Sequence, residues 1–293
     1  MASFPFFQVD AFASEPLHGN PCAVVLDADG LTSDQMQAIA REQNLSETAF
    51  ILHSDKADVR ARYFTPAEEI PLAGHPTIAS IHTLIETNRI KLTGAQTRIS
   101  LELKAGIVPV DVLSAEGQPR EIVMTQLKPK FLSTVPHDRA ASVFGLSTED
   151  LVTGRPVQVV STGTPQLMVP VQALDCLRKI QVDIDALSKL RREFLFFSVH
   201  LFAKIDSGTF ARHFAGPPDV FEDPFTGSAT GGMGAYLWHY GLMDAPDFLA
   251  SQGTWMQRPG QARVRVLGPR NDISAVQVGG EAVTVIAGTL HLP

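Results

Sequence analysis

The chain has 293 residues, 44% of them hydrophobic and 19% charged, with a formal net charge of −7. That length suits two domains of about 150 residues, and an acidic balance without a Lys/Arg cluster excludes nucleic acid and anionic membrane surfaces as partners. Two cysteines, Cys22 and Cys176, fit a reduced compartment with no disulfide framework.

Met1 to Asp10 is apolar but has no basic start, so it does not read as a signal peptide. The longest apolar run, Phe194 to Ile205, is broken by His200 and Lys204 and is too short to span a bilayer. These features predict a cytoplasmic protein.

Short β-rich runs dominate the rest: Phe6–Phe12, Ala23–Leu26, Thr48–His53, Val59–Phe64, Arg98–Leu103, Ile107–Val112, Ile122–Gln126, Val157–Ser161, Gln166–Val171, Glu193–Phe202, Phe210–Phe214, Ala262–Leu267, Ala275–Val278 and Ala282–Leu290. Gly, Pro and Asp punctuate them at the spacing of barrels or sandwiches. Helices are fewer. Thr32-Ser-Asp-Gln35 is a capping-box pattern leading into Met36, Ile39 and Ala40. A second apolar stripe is Ile78, Ile81, Leu84 and Ile85, with Pro76 in the first turn, where a missing N–H is harmless. Ser114–Arg120, polar with Gly117 and Pro119, reads as the linker between halves, and Leu127–Pro136 is a second candidate.

An internal repeat organises these elements. Pro71-Leu-Ala-Gly-His-Pro-Thr77 and Pro224-Phe-Thr-Gly-Ser-Ala-Thr230 stand 153 positions apart, and Arg62-Tyr-Phe-Thr65 is echoed by Arg212-His-Phe-Ala215. Two similar halves follow, each with a Gly-led helix start whose outward N–H groups can hold an anion. A small anionic molecule in a cleft between the halves is the implied ligand. The helix after Thr230 carries Gly231, Gly232 and Gly234. Each costs about 1 kcal/mol relative to Ala inside a helix, so surrounding strands must approach too closely for side chains.

Four polar residues are candidates for chemistry. Asp223, beside the second helix start, reads either as helix charge complementarity or as a dedicated site residue; Ile70 at the matching place favours the latter. His75 is a cap, a surface residue or a proton-handling imidazole, and Ser228 holds the equivalent place in the other half. Glu47 is either a strand-end surface residue or, if turned into an apolar cleft, a proton carrier at neutral pH. There is no dinucleotide or Walker loop, no metal-ligand spacing among nine histidines and no nucleophile elbow. Gly19-Asn-Pro-Cys22 reads as a turn before a strand, with Cys22 buried rather than reactive.

Taken in order, Gly19-Asn-Pro-Cys-Ala-Val-Val25, Asn44-Leu-Ser-Glu-Thr-Ala-Phe50, Arg62-Tyr-Phe-Thr-Pro66, Pro71-Leu-Ala-Gly-His75, Glu222-Asp-Pro-Phe-Thr-Gly-Ser-Ala229 and Gln252-Gly…Arg258-Pro resemble the PhzF-like phenazine-biosynthesis family over nearly the whole chain. The resemblance implies an α+β, diaminopimelate-epimerase-like fold: two pseudo-symmetric β-barrel-like domains, each wrapped around a central helix. They would span 1–117, completed by a last strand near 281–293, and 118–293. It also implies a cofactor-free and metal-free isomerase, assembled as a homodimer. Glu47 would carry the acid/base role in moving a carbon-bound proton, as in trans-2,3-dihydro-3-hydroxyanthranilate isomerisation. His75, Asp223 and Ser228 would complete the catalytic set, with Gly74, Gly227, Asn20 and Ala229 as substrate-binding positions. Epimerases of this fold carry a cysteine at each helix start; His75 and Ser228 stand there instead, which argues against two-thiol racemisation. The chain departs from the family's commonest wording in Ala73-Gly-His-Pro-Thr77, at Phe225 and Thr230, and in Arg212-His-Phe-Ala-Gly-Pro-Pro218. The substrate is therefore open. Epimerisation or dehydration of another amino acid, and a non-catalytic metabolite-binding protein, are the alternatives.

Overall fold

A computed structural model describes residues 2–216 and 221–292. Pro217 and Pro218 of the Arg212–Pro218 segment lie outside the described residues, as do the terminal Met1 and Pro293 of the two expected domains. The chain divides into two compact units, Met1–Met124 with Gly279–Pro293, and Thr125–Val278.

In chain order the first unit contains β1 (Ala2–Ala11), β2 (Asn20–Val25), α1 (Ser33–Gln43), β3 (Glu47–Leu52), β4 (Val59–Phe64), β5 (Glu69–Ile70), α2 (Gly74–Glu86), β6 (Gln96–Leu103), β7 (Gly106–Ala115) and β8 (Gln118–Gln126). The second contains β9 (Lys130–Val135), α3 (His137–Val143), β10 (Val157–Ser161), β11 (Pro165–Val171), α4 (Leu174–Lys179), α5 (Ile184–Phe194), β12 (Ser198–Ile205), β13 (Gly208–Phe214), β14 (Glu222–Asp223), α6 (Gly227–His239), β15 (Asp247–Gln252), β16 (Gly260–Leu267) and β17 (Ala275–Gly280). The final strand, β18 (Ala282–Leu292), returns to the first unit and pairs with β1.

Each unit repeats one strand plan. In the first, β18, β1 and β2 are antiparallel neighbours, β2 and β3 are parallel across α1, β3 and β4 are antiparallel, and β4 and β6 are parallel across α2. In the second, β9, β10 and β11 are antiparallel, β11 and β12 parallel across α4 and α5, β12 and β13 antiparallel, and β13 and β15 parallel across α6. Both have the expected mixed architecture, a curved sheet wrapped around one helix.

The capping box forms as the sequence predicts: Gln35 N donates to Thr32 Oγ1 at 3.2 Å and Thr32 N to Gln35 Oε1 at 2.9 Å. Met36, Ile39 and Ala40 then pack with Phe4, Val25, Leu31, Phe50 and Phe64 into one core. The central helix α2 lies on β1, β2, β3 and β18 and buries Ile78, Ile81 and Leu84. Full burial of such a side chain contributes about 1.5–3 kcal/mol.

Its counterpart α6 lies on β10, β11, β12 and β16 and is buried on every side from Ala229 to Leu237. The glycines are there for close approach. A Cβ on Gly234 would stand 2.6 Å from Val264 Cγ1 of β16, and one on Gly232 would stand 2.7 Å from Met168 Cε of β11.

The repeated Arg-aromatic-Phe element acquires a physical role. Arg62 makes a two-pronged ion pair with Glu69 (2.8 and 3.0 Å), joining β4 to β5, and Arg212 does the same with Glu222 (both 2.8 Å), joining β13 to β14. Each guanidinium also covers a phenyl ring, Phe64 at 5.1 Å and Phe214 at 4.9 Å. These paired forks hold the short strand that leads into each central helix.

Two expectations need correction. Ser114–Arg120 is not an extended linker; it holds the two-residue turn of the β7–β8 hairpin, with Ala115 paired to Gln118 and both Glu116 (φ 54°) and Gly117 (φ 76°) in the left-handed region. Such a turn matches the twist of its flanking strands. The run Glu193–Phe202 is not one strand. Helix α5 extends through Phe194 and stops at Leu195 in the left-handed region, and β12 begins only at Ser198. Asp183 caps that helix by accepting from Ala186 N at 2.9 Å, and Leu187 and Leu190 anchor its apolar stripe.

Candidate active site

The first unit holds four of the predicted residues. Glu47 opens β3, Asn20 opens β2, and His75 is the second residue of α2, directly after Gly74. His75 Nε2 stands 3.2 Å from Glu47 Oε2, while the Asn20 amide lies 3.2 Å from His75 Nδ1. The Asn20 side-chain nitrogen can only donate, so Nδ1 accepts. A neutral His75 then carries its proton on Nε2, which lies near the Glu47 carboxylate without forming a hydrogen bond to its Oε2.

Burial sets the charge states. His75 is 5% exposed, and desolvation pushes its pKa down to about 3, leaving the imidazole neutral at pH 7. The Glu47 side chain retains 18% of its exposure, enough to reach a ligand. Cys22 pairs with Glu47 across β2 and β3. Burial and the neighbouring Glu47 charge raise its thiol pKa well above the usual value, so it is an inert thiol, as the sequence predicts.

The helix start itself offers donors. Ala73, at the N-cap of α2, supplies no side-chain acceptor, and Thr77 Oγ1 donates back to Ala73 O at 2.8 Å. In α6, Thr230 Oγ1 donates to Thr226 O at 3.0 Å, and Thr226 caps no N–H with its side chain. The repeated threonine is thus a clasp on the first turn of each helix. The first-turn N–H groups beside Gly74 and Gly227 are left to the positive end of the helix dipole.

In the second unit Asp223 ends β14, opposite His213, and accepts from Thr226 Oγ1 at 2.5 Å. Gln252 Nε2 donates to Asp223 O at 2.6 Å, and Thr226 N donates to Gln252 Oε1 at 3.2 Å. The loop between β14 and α6 is therefore fixed from both sides. Gly227 opens α6, half-buried Ser228 follows it, and Ala229 is fully buried.

One neighbour of Ser228 has no motif in the sequence analysis above. Gln166, at the start of β11, donates from Nε2 to Ser228 Oγ at 3.1 Å. Gln126 supports the same turn by donating to Gly227 O at 2.9 Å, and accepts from Thr162 Oγ1 at 2.6 Å. A signal was present, because Gly163-Thr-Pro-Gln166 repeats the form of Gly19-Asn-Pro-Cys22 144 residues later. Among the described residues no cluster of His, Cys, Asp and Glu is arranged to hold a metal ion, and no helix is long and apolar enough to cross a membrane.

Comparison with known proteins gives the family. The phenazine biosynthesis-like protein family (PhzC-PhzF) matches residues 9–288. An uncharacterized isomerase of Clostridium acetobutylicum is 35% identical over 99% of this chain and 98% of its own. Trans-2,3-dihydro-3-hydroxyanthranilate isomerase of Pseudomonas aeruginosa is 32% identical over 97% of this chain and 98% of its own. The crystal structure of a Bacillus anthracis PhzF-family protein superposes with a TM-score of 0.90 at 32% identity, covering 100% of both chains. With the helix starts, the Glu47–His75 contact and these relatives in hand, the chain belongs to the phenazine biosynthesis-like (PhzF) protein family.

Proposed function

We propose that the protein is a cofactor-independent isomerase that shifts a carbon-bound proton on a small, carboxylate-bearing cyclic amino acid. The observation that carries this reading is the 3.2 Å approach of Glu47 to the Nε2 of a neutral His75 whose other ring nitrogen is occupied by Asn20. A carboxylate beside a neutral imidazole is not neutralised by it, which suits a base that must take a proton and give it back. The isomerase names of the relatives support the same class, and the Pseudomonas aeruginosa enzyme supplies the candidate substrate.

In this reading Glu47 takes the proton from C3 of trans-2,3-dihydro-3-hydroxyanthranilate and returns one to C1. The conjugated π-system spreads the charge between the two events. No electron acceptor or leaving group is involved, and Glu47 ends ionised as it began. His75, Asp223 and Ser228 position the amine, hydroxyl and carboxylate. Asn20, Gly74, Gly227 and Ala229 form the binding positions, with the backbone N–H groups beside the glycines facing the anion. Reduced, buried Cys22 and Cys176 support a cytoplasmic setting, and the family resemblance supports a homodimer.

Incubation with trans-2,3-dihydro-3-hydroxyanthranilate in D₂O, followed by NMR, tests the substrate. Deuterium at C1 of the product is expected. Exchange at the original carbon alone would assign an epimerase-like activity instead, and no reaction by folded protein would reject this substrate.

A further inference from the structure

The polar interior of the second unit holds a group that the proposed chemistry does not use. Gln166 is 2% exposed, and its Oε1 has no hydrogen-bond partner among the described residues. An unmatched buried carboxamide oxygen costs about 1–3 kcal/mol, so the one hydrogen bond its Nε2 makes has to repay that cost in function. That bond goes to Ser228 Oγ at 3.1 Å.

The direction of the bond matters. The amide nitrogen donates, so Ser228 Oγ accepts, and the hydroxyl proton must point elsewhere. Among the described residues Ser228 Oγ donates no hydrogen bond. Ser228 sits in the first turn of α6, where the N–H groups also point outward. Hydroxyl and backbone together present only hydrogens to an incoming oxygen. Asn20 does the same in the other unit, because its amide occupies His75 Nδ1 and sends the ring proton out through Nε2. Each unit thus uses a buried carboxamide to turn the second residue of its central helix into a donor.

We propose that Gln166 is a positioning residue that fixes Ser228 as a hydrogen-bond donor to the substrate's carboxylate. The identity of the bound group rests on the functional reading above; the orientation of Ser228 does not. A threefold comparison of the wild type, Ser228→Ala and Gln166→Met, plus the double variant, tests it. The probe is 3-hydroxyanthranilate, the stable aromatic relative of the candidate substrate, with 2-aminophenol as the analogue lacking a carboxylate.

Each single change is expected to weaken 3-hydroxyanthranilate binding about tenfold, the size of one hydrogen bond to a charged acceptor. The double variant should lose no more than either single one, and 2-aminophenol should be indifferent. Losses that multiply, or that fall equally on both probes, would overturn the proposal. The ligand-free protein supplies an independent measurement. The Gln166 side-chain amide resonances should exchange slowly with solvent and shift in Ser228→Ala. Unshifted resonances would overturn the proposal as well. If the wild type fails to bind 3-hydroxyanthranilate while these resonances behave as expected, the substrate assignment falls and the orientation of Ser228 stands.

Discussion

His75 Nε2 and Glu47 Oε2 stand 3.2 Å apart, joining the first turn of α2 to the first residue of β3. Neither element places these groups alone. The parallel pairing of β2 with β3 puts Asn20 and Glu47 at neighbouring strand ends, and the helix that follows β5 drops His75 between them. The contact is therefore a product of topology, and its chemistry depends on which ring nitrogen carries the proton.

Substitution of Asn20 should reveal that dependence. In Asn20→Asp a carboxylate would face Nδ1 and draw the ring proton to itself, leaving a lone pair on Nε2 beside Glu47. We expect turnover to fall by about ten- to 100-fold, equivalent to about 1.4–2.7 kcal/mol of transition-state stabilisation, with a lower thermal midpoint because Asn20 is fully buried and the new carboxylate gains no cationic partner. Unchanged turnover would show that the His75 tautomer is irrelevant.

Thiol chemistry should be dispensable. Both cysteines are buried, and burial raises both thiol pKa values. Replacing Cys22 and Cys176 together by Ala should leave turnover within about twofold while costing stability by about 1–2 kcal/mol, since small buried volumes are lost. Loss of activity by the folded double variant would return a thiol to the mechanism.

The Gly-rich helix gives a stability test. Gly234→Ala would gain about 1 kcal/mol of helix propensity but would drive a methyl group to 2.6 Å from Val264 Cγ1. Overpacking of that kind costs about 1–3 kcal/mol. We expect a net fall in urea midpoint; a rise would show that β16 yields easily.

Buried histidines set the acid limit of stability. His75 and His200 have pKa values pushed down to about 3 by desolvation, and His213 is also well below its usual value. Unfolding frees each to bind a proton near pH 6.5, so the unfolded state binds more protons between about pH 3 and pH 6.5. Stability is full above that window and declines as pH falls through it. The slope is up to about 1.4 kcal/mol per pH unit for each such histidine. Denaturant unfolding at pH 7.5 and pH 5.0 checks this, because most carboxylates remain ionised across that interval. Equal stability at the two values would contradict it.

The parts of this protein visible in its sequence are those with local signatures. The capping box, the Ile78–Ile81–Leu84 stripe and the helix-start repeat each rest on spacing, and each is realised. The glycines of α6 were legible because their propensity cost demanded close packing. The end of α5 was not legible, since Phe194, Leu195, Phe196 and Phe197 form an unbroken apolar run across a helix end and a strand entry. Strands β9 and β15 carry weak patterns and gain their place from pairing with β10 and β13. At the site, motif residues could be named, but partnership could not. That Asn20 serves His75, Gln166 serves Ser228 and Thr226 serves Asp223 follows only from strand register and helix phase.

The role of Glu47 is tested by turnover of trans-2,3-dihydro-3-hydroxyanthranilate by wild type and Glu47→Gln, side by side in D₂O. Glutamine keeps the shape and the hydrogen-bonding reach of the side chain but cannot exchange a proton at neutral pH. The expected result is a folded variant with a thermal midpoint near that of the wild type and a rate lower by about 10²–10⁴-fold. A folded Glu47→Gln protein that still places deuterium at C1 at a rate near wild type would contradict it.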